Sequence, residues 1–284
     1  MPVVERTIEI SGLSLAARIH GPDDGMPVLA MHGWLDNAAS FDGLAPLLSG
    51  CRVVALDLAG HGLSQRRAGA PYHFIDYVAD VAAVADALGW QKFSLLGHSL
   101  GAGVAALLAG TWPDRVHRLA LLEGLGPLSD PDESAPERLR ESLAAELAAT
   151  RRTHERPGYP DPEVVGRRLA AATHMQPASA QTLLRRGLFE ALPGRWDWRA
   201  DSRLRLPSRL RMTESQVTAF LKQIACPTLL LRAIPGMAVS EDYFAARVAC
   251  IADLRLVERP GGHHLHLDDP TTIAELVSSF LHGT

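Results

Sequence analysis

Three short segments of this chain hold residue types able to attack a carbonyl carbon and manage the proton that follows. The pentapeptide GHSLG, Gly97 to Gly101, sets Ser99 between two glycines, after an apolar run and before a run of small residues. A strand that turns sharply into a helix is crowded and strained, which glycine relieves on both sides, and the turn lifts the serine hydroxyl above the sheet edge. A serine there could instead only cap the helix, but the strand before it and the helix after it favour a nucleophile. HGW, His32 to Trp34, closes the run PVLAM. The backbone N–H groups of Trp34 and Leu100 are the candidate oxyanion hole, where losing one donor typically costs about 3 kcal/mol. His32, Gly33 and His98 flank those amides and are the candidate substrate-binding positions. PGGHHLHLDDP, Pro260 to Pro270, offers His263, His264 and His266 near the end of the chain. Imidazole has the right proton affinity to serve a serine as general base.

These groups need elements to hold them. Short apolar runs alternate with helical patterns over much of the chain, which is the signature of a mostly parallel sheet with helices on both faces. RTIEIS and LSLAARIHG read as an antiparallel pair, and PVLAMHG, CRVVALDLAG, KFSLLGHS and VHRLALLEG as buried strands. FDGLAPLLS, FIDYVADVAAVADALG and LGAGVAALLAGTW read as the helices between them. From about residue 126 to 222 the rhythm gives way to Arg, Pro and Ala with helical patterns such as PERLRESLAAELAATRR and no convincing strand. It returns with CPTLLLRA, EDYFAARVACI, LRLVERP and PTTIAELVSSFL. The reading is an α/β core over 1–125 and 223–284, with a helical cap insertion over 126–222.

Bulk properties narrow the partners. A composition of 47% hydrophobic and 21% charged residues with a formal net charge of −4 gives no electrostatic signal for nucleic acid or an anionic membrane, so a small molecule is the expected partner. The first residues lack the pattern of a secretory signal, and no window reaches the length of a membrane span, so a cytoplasmic protein is expected. Cys51, Cys226 and Cys250 are far apart, which argues against a disulfide framework or a zinc site. No metal or cofactor is expected. A homodimer is compatible with an apolar face on the helical insertion.

Taken together, the serine turn, the HG turn, DLAGHGLS (Asp57 to Ser64) and GGHHLHLDDP resemble the α/β-hydrolase superfamily. MHGWLDNAASFDGLAPLL, GHGLS, FSLLGHSLGAG and LVERPGGHHLHLDDPTTIAELVSSFL are similar to its serine-hydrolase-like proteins. The resemblance covers most of the core, with only fragments such as LLRRGL in the insertion. It implies an α/β-hydrolase fold and, through the pattern G-H-x-x-H-x-x-x-P, makes His263 the base and His266 structural or pocket-lining. It leaves Asp57 and His61 in a structural loop. Most members place an acid just after the strand represented here by PTLLLRA, yet this chain has Ile234, Pro235, Gly236, Met237 and Ala238 there. The preceding strand, RLALLEGLGP, ends in Glu123. Adjacent strands lie about 4.8 Å apart, so a carboxylate at that tip could reach the same histidine, as in certain haloalkane dehalogenases.

The expectation is a cofactor-free serine hydrolase, carboxylesterase- or lipase-like, cleaving a carboxylic ester or thioester through an acyl-enzyme. Its catalytic set is Ser99, His263 and Glu123. The alternatives are a C–C bond hydrolase acting on a diketone, which uses the same triad, and a catalytically weak binding protein of the same fold.

Overall fold

Each apolar run, bounded by turn residues, becomes one strand of a single eight-stranded sheet. The computed structural model describes residues 3–69, 71–151 and 158–284. The elements run β1 (Val4–Ile10), β2 (Leu13–His20), β3 (Met26–Met31), β4 (Cys51–Leu56), α1 (Phe74–Ala87), β5 (Phe93–His98), α2 (Leu100–Thr111) and β6 (Val116–Leu122). Between β6 and the next strand of the large sheet come α3 (Ala135–Arg151), α4 (Pro162–Thr173), α5 (Pro177–Gly187), β7 (Leu188–Leu192), β8 (Arg195–Trp198) and α6 (Glu214–Leu221). The chain finishes with β9 (Thr228–Pro235), α7 (Glu241–Val248), β10 (Leu254–Gly261), α8 (Leu265–Asp268) and α9 (Pro270–His282).

The strand order is β1-β2-β4-β3-β5-β6-β9-β10. β1 and β2 pair antiparallel, as do β2 and β4, and every later pair is parallel. A strand covered on both faces must be apolar on both, and β5 is buried at all its positions. Leu95 belongs to the core under α1, α2 and α6, with Leu107, Val81 and Val217. Leu96, the next residue, points to the opposite core with Phe41, Val28 and Val277 of α9. Truncating either leucine to alanine would cost about 2–5 kcal/mol.

Three local readings change. FDGLAPLLS, Phe41 to Ser49, holds the 3-10 turn Ala45–Leu47 and begins at the last residue of another, Ala38–Phe41, in place of a helix, because Gly43 and Pro46 interrupt the i to i−4 ladder. The insertion contains a hairpin of β7 and β8, a pair too short and too polar in pattern to read as strands. α6 packs against α2 with Val217 and Leu221 fully buried in the main core, so the core layer resumes ahead of residue 214 and not at 223. Arg152, at the end of PERLRESLAAELAATRR, lies outside the described residues.

The insertion is pinned to the core by buried polar contacts. Arg186, at the end of α5, donates from Nε to both Asp57 carboxylate oxygens at 3.0 and 2.9 Å and from Nη1 to Glu5 at 2.7 Å. Asp57 also accepts the N–H groups of Ala38 and Leu63 at 2.7 Å each. Asn37 Nδ2 donates to the Leu183 carbonyl at 2.9 Å. The Asp57 loop is therefore the socket for the insertion, which accounts for its residue pattern without a chemical role.

Candidate active site

Strand β5 stops at His98 and α2 starts at Leu100, so Ser99 alone makes the turn. Its backbone sits at φ 51° and ψ −111°, a region that costs a non-glycine residue of order 1–3 kcal/mol. The flanking glycines answer to crowding: a Cβ on Gly97 would run into the Gly101 carbonyl, and one on Gly101 would run into the Met31 carbonyl. The Ser99 side chain makes no capping hydrogen bond to α2. It lines a cavity of about 920 Å³ instead.

β3 delivers the HG turn to the same place. Gly101 N–H donates to the His32 carbonyl at 3.1 Å, stitching the start of α2 to the end of β3. Trp34 and Leu100 both line the cavity beside Ser99. Leu100 opens its helix and Trp34 follows a strand, and neither amide donates to another group among the described residues. The Trp34 indole reaches up to the insertion, donating to the Leu204 carbonyl at 3.0 Å.

Glu123 ends β6 with a left-handed backbone, φ 52°, and its side chain is buried. One carboxylate oxygen, Oε1, accepts the Ala233 N–H at 2.5 Å; the other, Oε2, accepts the Met237 N–H at 2.9 Å and lies 3.1 Å from His263 Nδ1. Strand β9 near its end, through Ala233, and the acid-free loop after it, through Met237, thus supply two amides that hold a carboxylate reaching over from β6. Gly236 makes room, since a Cβ there would lie 2.8 Å from Glu123 Oε2 and run into the Ala233 carbonyl. A carboxylate facing Nδ1 fixes the ring tautomer with Nδ1 protonated, leaving Nε2 as the basic nitrogen.

Two of the sequence-based substrate positions take other work. His32 is fully buried and does not line the cavity. Its Nδ1–H donates to the Gly33 carbonyl at 2.7 Å and its Nε2 accepts the Leu58 N–H at 3.0 Å. Both ring nitrogens are used, and burial lowers its pKa to about 4. His98 borders the cavity, but its side chain is only 1% exposed and its Nε2 donates to the His263 carbonyl at 2.8 Å. It positions the histidine loop, with its own pKa lowered mainly by burial. Gly33 lines the cavity with backbone alone. His266 is buried behind His98 with Nε2 2.8 Å from Ser40 Oγ, and burial holds its pKa well below the usual value.

Asp36, whose place close to the HG turn could put it on the pocket wall, and His264, which was not among the expected site residues, both line the cavity and are buried. Burial works against ionisation of Asp36, but His264 and His98 beside it outweigh that and hold its carboxyl well below the usual range. The signal was an acid four residues after His32 and a histidine adjoining the base, neither diagnostic without the fold.

Residues 26–270 match the family model described as the alpha/beta hydrolase fold. The chain belongs to the α/β-hydrolase family. It is similar to a serine hydrolase-like protein of Danio rerio, with 32% identity over 94% of this chain and 85% of that one. Among solved structures it resembles a hypothetical protein from Pseudomonas aeruginosa PAO1 at 43% identity and a TM-score of 0.92, covering 99% of both chains. It also resembles a thioesterase domain from the curacin biosynthetic pathway at 27% identity and a TM-score of 0.84, covering 98% of this chain and 99% of that one. No helix among the described residues is long and apolar enough to cross a membrane.

Proposed function

We propose that the chain is a serine hydrolase that cleaves a carboxylic ester or thioester through an acyl-enzyme. The observation that carries the reading is the joint placement of Ser99 on a strained turn and of the His263–Glu123 pair on the wall of one cavity. In this reading His263 Nε2 takes the Ser99 proton as Oγ attacks the carbonyl carbon. The Trp34 and Leu100 amides receive the oxyanion. The imidazolium, steadied by Glu123, protonates the leaving alcohol or thiol. Water then attacks the acyl carbon as it gives its proton to the same nitrogen, and that proton passes to Ser99 Oγ as the serine–acyl bond breaks and the acid leaves.

The cavity favours an apolar acyl group. Leu204, Leu206, Leu210 and Met212 from the insertion line it opposite Leu100 and Phe74, so the insertion acts as a cap that shapes the acyl site and excludes water. Its volume is near the upper end for small-molecule sites, about 300–1,000 Å³. The related thioesterase domain gives thioesters their place beside oxygen esters. The test is turnover of a graded acyl ester and thioester series, with a fluorophosphonate probe to label the serine. Labelling and turnover that vanish in Ser99→Ala support the reading. A strong preference for diketones over every ester, or no labelling of the wild type, overturns it.

A further inference from the structure

The second feature of the cavity wall is a group of three metal-ligating side chains that the proposed hydrolysis does not use. A carbonyl oxygen only accepts, so His98 Nε2 is the donor in its 2.8 Å contact with the His263 carbonyl. In a neutral ring His98 Nδ1 then carries a lone pair. That lone pair faces Asp36 Oδ2 at 3.5 Å, and His264 Nε2 lies 3.3 Å from the same oxygen. The side chains of His98, Asp36 and His264 are 1%, 8% and 8% exposed. Among the described residues neither Asp36 Oδ2 nor His98 Nδ1 has a hydrogen-bond partner. With His98 neutral, a buried nitrogen lone pair and a buried carboxylate oxygen face one another, an arrangement that a cation between them would satisfy.

The geometry points to a divalent transition-metal site formed by Asp36 Oδ2, His98 Nδ1 and His264 Nε2. The three atoms lie within 4.8 Å of one another. Bonds of about 2.0–2.2 Å at tetrahedral angles separate ligand atoms by about 3.3–3.6 Å, which the two contacts to Asp36 match. Two imidazoles and one carboxylate suit Zn²⁺ and its neighbours better than Mg²⁺ or Ca²⁺. All three residues border the cavity. The His98 and His264 rings are centred 4.8 and 5.3 Å from the His263 ring. Metal binding at this site is independent of the proposed hydrolysis.

Binding is tested with the full chain, stripped with EDTA and dialysed, by calorimetric titration with Zn²⁺ and by the visible absorption of added Co²⁺. The expected result is one Zn²⁺ per chain, four-coordinate Co²⁺ bands, and a Tm raised by Zn²⁺. Since loss of an outer-shell partner already costs about 10–100-fold in affinity, Asp36→Asn and His264→Gln should weaken binding by about 100-fold or more. Both should lose the Zn²⁺-dependent rise in Tm, while His282→Gln, at the far end of α9, keeps it. His264→Gln carries the test if Asp36→Asn does not fold. No Zn²⁺ uptake by the wild type, or uptake unchanged in the variants, overturns the site. Binding by a protein that hydrolyses nothing leaves the site standing and removes the hydrolase reading.

Discussion

Glu123→Gln exchanges one oxygen of the carboxylate for an NH₂ group while keeping its shape. Glu123 meets three N–H donors: Ala233 on one oxygen, Met237 and His263 on the other. An amide can accept on one side only. If its NH₂ faces Met237 and His263, the imidazole must turn its tautomer to accept at Nδ1, and Nε2 is no longer a base. If the NH₂ faces Ala233 instead, two donors meet where Oε1 accepts a hydrogen bond of 2.5 Å. In either arrangement the charge that steadies the imidazolium is gone. The comparable acid-to-amide change in serine proteases costs about 10⁴-fold in kcat, or about 5.5 kcal/mol of transition-state stabilisation. The expected result is a fall of about 10³ to 10⁴ in kcat for the best ester, with KM changed by less than about threefold, because the lost interaction is one made with the imidazolium of the transition state. Asp242→Asn, in the first turn of α7, should remain near wild type. Initial rates on a chromogenic ester read the first effect, and circular dichroism confirms that each variant is folded. A Glu123→Gln enzyme within about threefold of wild type would refute the assignment of the carboxylate to β6.

Removing the guanidinium in Arg186→Ala leaves Asp57 as a buried charge without its cation, and urea unfolding should show a loss of about 3–5 kcal/mol; a loss under about 1 kcal/mol would mean that the socket is not held by this pair. Gly236→Ala introduces a methyl group 2.8 Å from Glu123 Oε2 at a φ of 52°. Ester turnover should drop by at least about tenfold with little change in fold, since a displacement of about 1 Å near the chemistry can cost 10²-fold. Burial lowers the pKa of His32 to about 4 and that of His61 to about 3, so both are neutral in the folded state and take up protons on unfolding. Their full contribution is present above the unfolded value near 6.5 and is lost as pH falls toward their folded values. A tenfold difference in proton affinity between the folded and unfolded chain is worth about 1.4 kcal/mol, so the loss down to about pH 4 is of order 3 kcal/mol per ring. Chemical denaturation from about pH 7 to 4 should follow that fall, and His61→Gln should flatten it; an unchanged slope in that variant would refute the assignment.

The sheet, the serine turn, the HG turn and the histidine loop were legible in the residue order because each depends on local chemistry. Apolar runs mark buried strands, and glycines mark close backbone approaches. The position of Glu123 was legible in part, from the lack of an acid after PTLLLRA and the neighbouring strand that could supply one. Only tertiary structure decided how it is held, since the Ala233 amide in β9 and the Met237 amide in the loop after it lie more than a hundred residues away. The same holds for His32 and His98, whose ring nitrogens are taken by the Leu58 amide and the His263 carbonyl. It holds also for Arg186 in its socket, for α6 in the core layer, and for the meeting of Asp36, His98 and His264. Residue type limits which hydrogen bonds a side chain can make, but which partner it finds is set by the packing of distant segments, and one-dimensional spacing carries no record of it.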